Sequence, residues 1–212
     1  SRTGHYDDLG NLTSIDVDTG TDLATTTLVP DEFGNVLTAI LPRGETGAAQ
    51  RYDYGYEDVA HQYVTSILDG FGYDSQADYD LRFGLPTRTT DVNGETITRV
   101  YDSFGRLRTV TGPYGLAIDL RYFPNARLPR AVTTNRSAPP PEWAGPTPSD
   151  IVTVTIVDGL GRPIEVRKSS AVGGVGGMTT AGPVAYDALG RVVARYHPFF
   201  TAGATSDEGF VV

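Results

Sequence analysis

Seven aspartates stand three residues before a glycine: Asp7, Asp31, Asp69, Asp91, Asp102, Asp158 and Asp187, followed by Gly10, Gly34, Gly72, Gly94, Gly105, Gly161 and Gly190. Paired carboxylates can act as general acid and base toward a substrate. An active site needs one such pair, whereas here the carboxylate recurs at every copy of a motif, which argues for structure. The three histidines, His5, His61 and His197, show no metal-ligand spacing and no His-Glu-x-x-His pattern, and the chain has no cysteine. His61 reads as a residue on a strand face and His197 as part of the "YHPFF" turn. The stretch "DVDTGTD", Asp16 to Asp22, offers alternating oxygens but lacks the glycine offset and terminal Glu of a calcium loop, so it reads as a solvated turn. "GGVGG" opens no helix and brings no Lys, which excludes a phosphate cradle. No Gly-x-Ser-x-Gly nucleophile elbow is present. These residues assign no catalytic group, metal site or cofactor.

Composition narrows the class. The 212 residues carry a formal charge of −9, which repels a phosphate backbone and speaks against nucleic-acid binding. Twenty-five Gly and 14 Pro imply many turns, while Val, Ile, Thr and 12 Tyr suit strands. No apolar run approaches 18 residues, so the sequence predicts no membrane insertion.

The positions of the aspartates define the elements between them. Asp69, Asp80, Asp91 and Asp102 are each 11 residues apart, Asp80 belonging to a variant, "YDLRFGLPT", with one residue added before its glycine. Four residues of turn leave about seven for a strand of roughly 23 Å. Successive turns then alternate between the two edges of a long antiparallel ribbon. In each turn the Asp accepts backbone N–H groups and the Gly takes positive φ. Tyr6, Tyr101 and Tyr186, with Tyr79 in the variant, end the incoming strand as packing surfaces. Arg106, Arg162 and Arg191 follow the glycine and are placed to meet neighbouring carboxylates. A worn copy stands at "YFPNARL", Tyr122 to Leu128.

The residue before the turn glycine is Leu9, Phe33, Phe71, Phe104, Leu160 or Leu189, with Phe83 in the variant and Asn93 as the exception. An exposed Leu or Phe forgoes about 1.5–3 kcal/mol of burial. The expectation is therefore that each hairpin tip folds against the next, forming an apolar ridge.

"IVTVTIVDGLGRPIEVRK" alternates Val152, Val154 and Ile156 with Thr153 and Thr155, then continues with Ile164 and Val166 against Glu165 and Arg167, giving one apolar and one mixed face. Segment 57–68, "EDVAHQYVTSIL", fits both a helical stripe and a strand entering the Asp69 turn, and the repeat context favours the strand. The proline-rich 137–150 reads as an extended loop and "VGGVGGM", 172–178, as a flexible one. Residues 1–136 and 151–212 then form two stretches of one continuous sheet, with separate domains as the alternative. An uncapped array of this kind predicts a fragment of something longer.

The "YDxxGRL" core resembles the Rhs/YD-repeat family. "VDGLGRPIEVRK", "YDALGRVVARYHPFF" and "YDLRFGLPTRTTDVNGETITRVYDSFGRL" are similar to the Rhs-repeat part of the B components of bacterial ABC (Tc) toxin complexes and their virulence relatives. The resemblance implies an all-β hairpin strip that spirals into a hollow shell enclosing a cytotoxic C-terminal polypeptide. It implies as partners the remainder of that shell (a C-component-like half), the enclosed toxin and, through the parent protein, a translocation pore. It also implies secretion as part of a larger toxin, with a cytoplasmic stage before release. The family's self-cleavage region finds no match here, so no enzyme activity is carried over. YD-repeat proteins such as teneurins act at cell surfaces, which leaves an adhesive or carbohydrate-binding surface as the alternative.

Overall fold

A computed structural model describes residues 1–44, 47, 49–137 and 150–205. Contacts divide the chain into two compact units, Ser1–Thr98 and Arg99–Val212. The first unit holds β1 (Arg2–Tyr6), β2 (Leu12–Asp18), β3 (Leu23–Pro30), β4 (Val36–Arg43), β5 (Ala49–Tyr56), β6 (Val64–Asp69), β7 (Asp74–Asp80) and β8 (Leu85–Thr90). Its boundary with the second falls inside β9 (Thr96–Tyr101). The second unit continues with β10 (Leu107–Gly112), β11 (Gly115–Phe123), β12 (Arg130–Asn135), β13 (Ile151–Val157), β14 (Pro163–Val172) and β15 (Val175–Ala181). A small two-stranded sheet, β16 (Val184–Tyr186) and β17 (Val192–Arg195), precedes the last strand, β18 (Phe199–Ala202).

The hydrogen-bonded order is the order of the sequence, β1 to β15 followed by β18, and the fold is all-β. Most of the connections are short, and a short turn returns the chain beside the strand it has left; the order also holds across the longer connection between β12 and β13. Antiparallel pairing runs Ser14–Thr27–Ile40–Arg51 across β2 to β5 on one face and Leu28–Ala39–Tyr52–Asp69 across β3 to β6 on the other. Both faces of the first unit are only half covered. Among its described residues Ala39 alone is a buried hydrophobic.

The second unit has a genuine core. Val132, Val152, Val154, Ile156, Met178 and Ala204 are buried, with Phe123, Leu128 and Ile164 packed against them. The row Val132–Val154–Arg167–Thr180 crosses four strands, and its last three members are 1–2% exposed. Arg167 is held there by an ion pair with Glu165, which lies opposite Ile156.

That row corrects the face expected for β14. Glu165 and Arg167, and not Val166, share the buried side with Val154 and Ile156, while Ile164, beside the bulge, packs against the core as expected. The cause is a bulge: the register shifts between Ile156 and Val157 as the chain enters the Asp158 turn. One extra residue in a period-two pattern moves every following side chain to the opposite face.

Two further expectations change. "VGGVGGM" is not a flexible loop: β14 and β15 are joined by Gly173-Gly174, with φ +58° and +80°, in a two-residue hairpin. In 57–68 the strand begins at Val64, and residues 57–63 are a turn in which His61 has φ +54°. His61 is thus a turn residue and not a strand-face residue. The proline-rich loop lies, for 138–149, outside the described residues.

Candidate functional site

The recurring feature of the chain is its turn. In the copies at Asp7, Asp31, Asp69, Asp91, Asp102, Asp158 and Asp187, the Asp N–H donates to the carbonyl four residues on, at 2.8–3.0 Å. The glycine N–H returns to the Asp carbonyl at 2.9–3.2 Å. The glycine φ lies between +75° and +89°, a left-handed conformation in which a Cβ is disfavoured. This is a type I turn followed by a glycine bulge, the arrangement common in three-residue hairpin loops.

The carboxylate fills the inside of that loop. One oxygen accepts N–H groups from the residues two and four positions on, each at 2.8–2.9 Å. The other accepts the side chain four on: Asn11 and Asn35 in the first unit, Arg106, Arg162 and Arg191 in the second. Hydrogen bonds from Asn11 hold the Asp7 carboxyl below the usual carboxylate range, and those from Arg162 do the same for Asp158. A carboxylate engaged in this way by its own loop acts as a structural anion that fastens the turn. The arginines pair with their own turn's aspartate rather than with a neighbouring turn's carboxylate.

The tip residues overturn the expected ridge. Leu9 is 81% exposed, and Phe71, Phe104, Leu160 and Leu189 are 77–79% exposed. With the Asp inside the loop, the side chain two positions on is left at the apex, facing out. Two strand spacings of roughly 4.8 Å put like tips roughly 10 Å apart along an edge, and the exception is Phe33, whose ring reaches His61 of the next turn.

Neighbouring turns touch by other means. The Asn35 side-chain amide donates to the His61 carbonyl at 2.7 Å, and the Phe33 and His61 rings stack with centroids 4.1 Å apart. A Cβ on Gly34 would come within 2.9 Å of the Asn11 side-chain oxygen. Tyr63 stacks on Tyr79 at 5.0 Å and closes over Gly84.

In the second unit one contact recurs with the same parts. The Tyr122 hydroxyl donates to the Leu107 carbonyl at 2.9 Å, and its ring lies 4.4 Å from the Arg106 guanidinium carbon. The Tyr186 hydroxyl donates to the Pro163 carbonyl at 3.4 Å, with Arg162 lying 4.2 Å from the ring centre. In the first unit Tyr56 donates to the Val36 carbonyl at 3.1 Å. In each case the tyrosine before one turn reaches the strand that leaves the previous turn on the same edge. Tyr122 shows that the worn copy keeps this clasp although it has lost its aspartate.

Sequence reasoning missed one member of the series. Glu57 follows Tyr56 as Asp7 follows Tyr6, and its carboxylate accepts the N–H groups of Val59, Ala60 and Gln62 at 2.7–2.9 Å. The longer side chain spans a longer loop. Burial tends to raise its pKa, but these N–H donors prevail and bring it down to about 2. The preceding tyrosine was the available signal. In the variant copy, Asp80 accepts the Arg82 N–H and pairs with its guanidinium at 2.6 Å.

Elsewhere, His5 pairs with Asp16 at 2.7 Å and His197 is exposed. Asp16 binds His5 and Thr25. Among the described residues no group of three or more His, Asp and Glu side chains is placed to hold a metal. None of their helices is long and apolar enough to cross a membrane.

Fold and site together define a sequential antiparallel hairpin strip built on aspartate turns and clasped edge contacts. Residues 79–117, which span the Asp80, Asp91 and Asp102 turns, match the RHS Repeat family. No curated protein sequence matches the chain significantly. In fold, the chain is similar to the crystal structure of TcdB2-TccC3, with a TM-score of 0.65 over 94% of this chain at 17% identity. The structures of TcdB2-TccC3-TEV and TcdB2-TccC3-Cdc42 each give 0.62 over 94% of this chain, at 16% and 15% identity. This chain spans 12–14% of the length of those chains.

Proposed function

We propose that the chain is a non-catalytic wall segment of an Rhs shell that encloses a cytotoxic polypeptide before delivery outside the producing cell. One observation carries this reading. In the first unit the strip is a single layer, with Ala39 as its only buried hydrophobic among the described residues, and its order rests on edge clasps between turns. A sheet stabilised along its edges leaves both faces available, one to solvent and one to contents. The likeness of fold to TcdB2-TccC3 supports the same reading. The partners would be further lengths of the same strip and the enclosed polypeptide.

The mechanism is mechanical. A wall excludes proteases and limits the expanded states open to an unfolded passenger. The test is limited proteolysis of the full-length parent protein expressed with its downstream polypeptide. Protection of that polypeptide, lost when the wall is opened, supports enclosure; equal digestion with and without the wall discards it.

A further inference from the structure

We infer that three successive turns on one edge of the first unit form a docking comb for a basic amphipathic helix of a partner protein. The turns are Asp7-Asp8-Leu9, Asp31-Glu32-Phe33 and Glu57-Asp58-Val59. In each, the first carboxylate is turned inward and consumed by its own loop. The second, Asp8, Glu32 or Asp58, is exposed and has no ion-pair partner among the described residues. The third is an exposed apolar side chain: Leu9 at 81%, Phe33 at 57% and Val59 at 78%. Contacts through Asn11 and Gly34, and through Phe33 and His61, hold the three turns side by side.

No Lys or Arg occurs from Thr3 to Pro42 or from Tyr52 to Leu81, and the flanking Arg51 and Arg82 are paired with Asp53 and Asp80. The second unit differs at the same motif position: Ser103, Gly159 and Ala188 replace the acidic residue, and arginine follows the glycine. The acidic, apolar pairing is therefore a property of this edge and not of the repeat.

Spacing selects the occupant. Like teeth stand two strands apart, roughly 10 Å. In an extended segment that distance is about three residues, and side chains three apart point to opposite faces. In a helix it is about seven residues, which returns to the same face. A helix with an apolar residue every seventh position and Lys or Arg beside it meets all three teeth and pairs with the three free carboxylates. This inference stands independently of the enclosure reading.

The test uses the full chain and an 18-residue helical peptide with Leu at three positions seven apart, flanked by Lys. A scrambled peptide of the same composition is the control. Binding is followed by calorimetry at two salt concentrations. The expected result is salt-sensitive binding of the patterned peptide, weakened tenfold or more by the triple variant Asp8→Asn, Glu32→Gln, Asp58→Asn. A similar loss is expected from Leu9→Ser, Phe33→Ser, Val59→Ser. Removing the same charge elsewhere, by Asp22→Asn, Asp74→Asn, Asp78→Asn, leaves affinity within twofold. Circular dichroism establishes that each variant is folded. Equal binding of both peptides, equal loss in the charge control, or no binding overturns the inference. So does a dimer of the free chain that the apolar variant dissolves, because the occupant is then a second copy.

Discussion

The guanidinium carbon of Arg162 lies 4.2 Å from the centre of the Tyr186 ring, and the Tyr186 hydroxyl donates to the carbonyl of the next residue, Pro163. One tyrosine thus holds both the side chain and the backbone of the turn before it. A cation over an aromatic face is worth about 0.5–1 kcal/mol at a partly exposed site. A double-mutant cycle with Arg162→Ala and Tyr186→Leu, read by urea unfolding, is predicted to show coupling of about that size. Strict additivity contradicts the clasp.

Two glycines of the same turn separate conformation from space. Gly161 has φ +78°, whereas Gly159 has an ordinary φ; a Cβ on either would meet nothing within 4 Å. Gly161→Ala is expected to cost about 1 kcal/mol through backbone strain alone. Gly159→Ala is expected to stay within about 0.5 kcal/mol of the parent. Equal effects in thermal unfolding would remove the left-handed glycine as the cause.

The tip position gives a sharper contrast. Leu160 is 79% exposed and Ile156 is 2% exposed, four residues away on the same hairpin. Leu160→Ser should change stability by less than about 0.5 kcal/mol, and Ile156→Ala should cost about 2–5 kcal/mol. A Leu160→Ser cost comparable to that of Ile156→Ala would restore the packed ridge that the exposed tips contradict.

Glu57 sets a pH dependence. Its ordinary pKa of 4.5 falls to about 2 in the folded chain. A depressed acid stabilises the fold fully above its unfolded pKa and loses that contribution as pH falls through the folded value. The contribution should therefore be whole above pH 4.5 and decline between there and about 2. Carbon-13 titration of the Glu57 carboxyl checks the value, and a midpoint near 4.5 would show that the three N–H donors are not engaged. Glu57→Gln keeps an acceptor but is expected to flatten the decline.

The alternation of turns was legible because Asp and Gly keep a fixed offset and because, from Asp69 to Asp102, the strands between them keep nearly one length. The antiparallel succession of strands on either side of those turns follows from that spacing. The faces were not legible. A bulge between Ile156 and Val157 leaves no mark in composition, yet it decides that Arg167 is buried while Val166 is only half-buried. Burial of the tips was misread from hydrophobicity, because Leu and Phe usually signal an interior. Only the Asp side chain inside each loop shows why the apex must look outward. Tyr122 and Tyr56 were visible as letters, but the strand that each one reaches lies on another hairpin.

Because every clasp skips one hairpin, the smallest length that can be duplicated or deleted cleanly is an up-and-down pair of strands. Loss of a single strand would carry each later tyrosine to the opposite border, away from the strand it clasps. Natural variation in the reach of such a strip should therefore come in even steps.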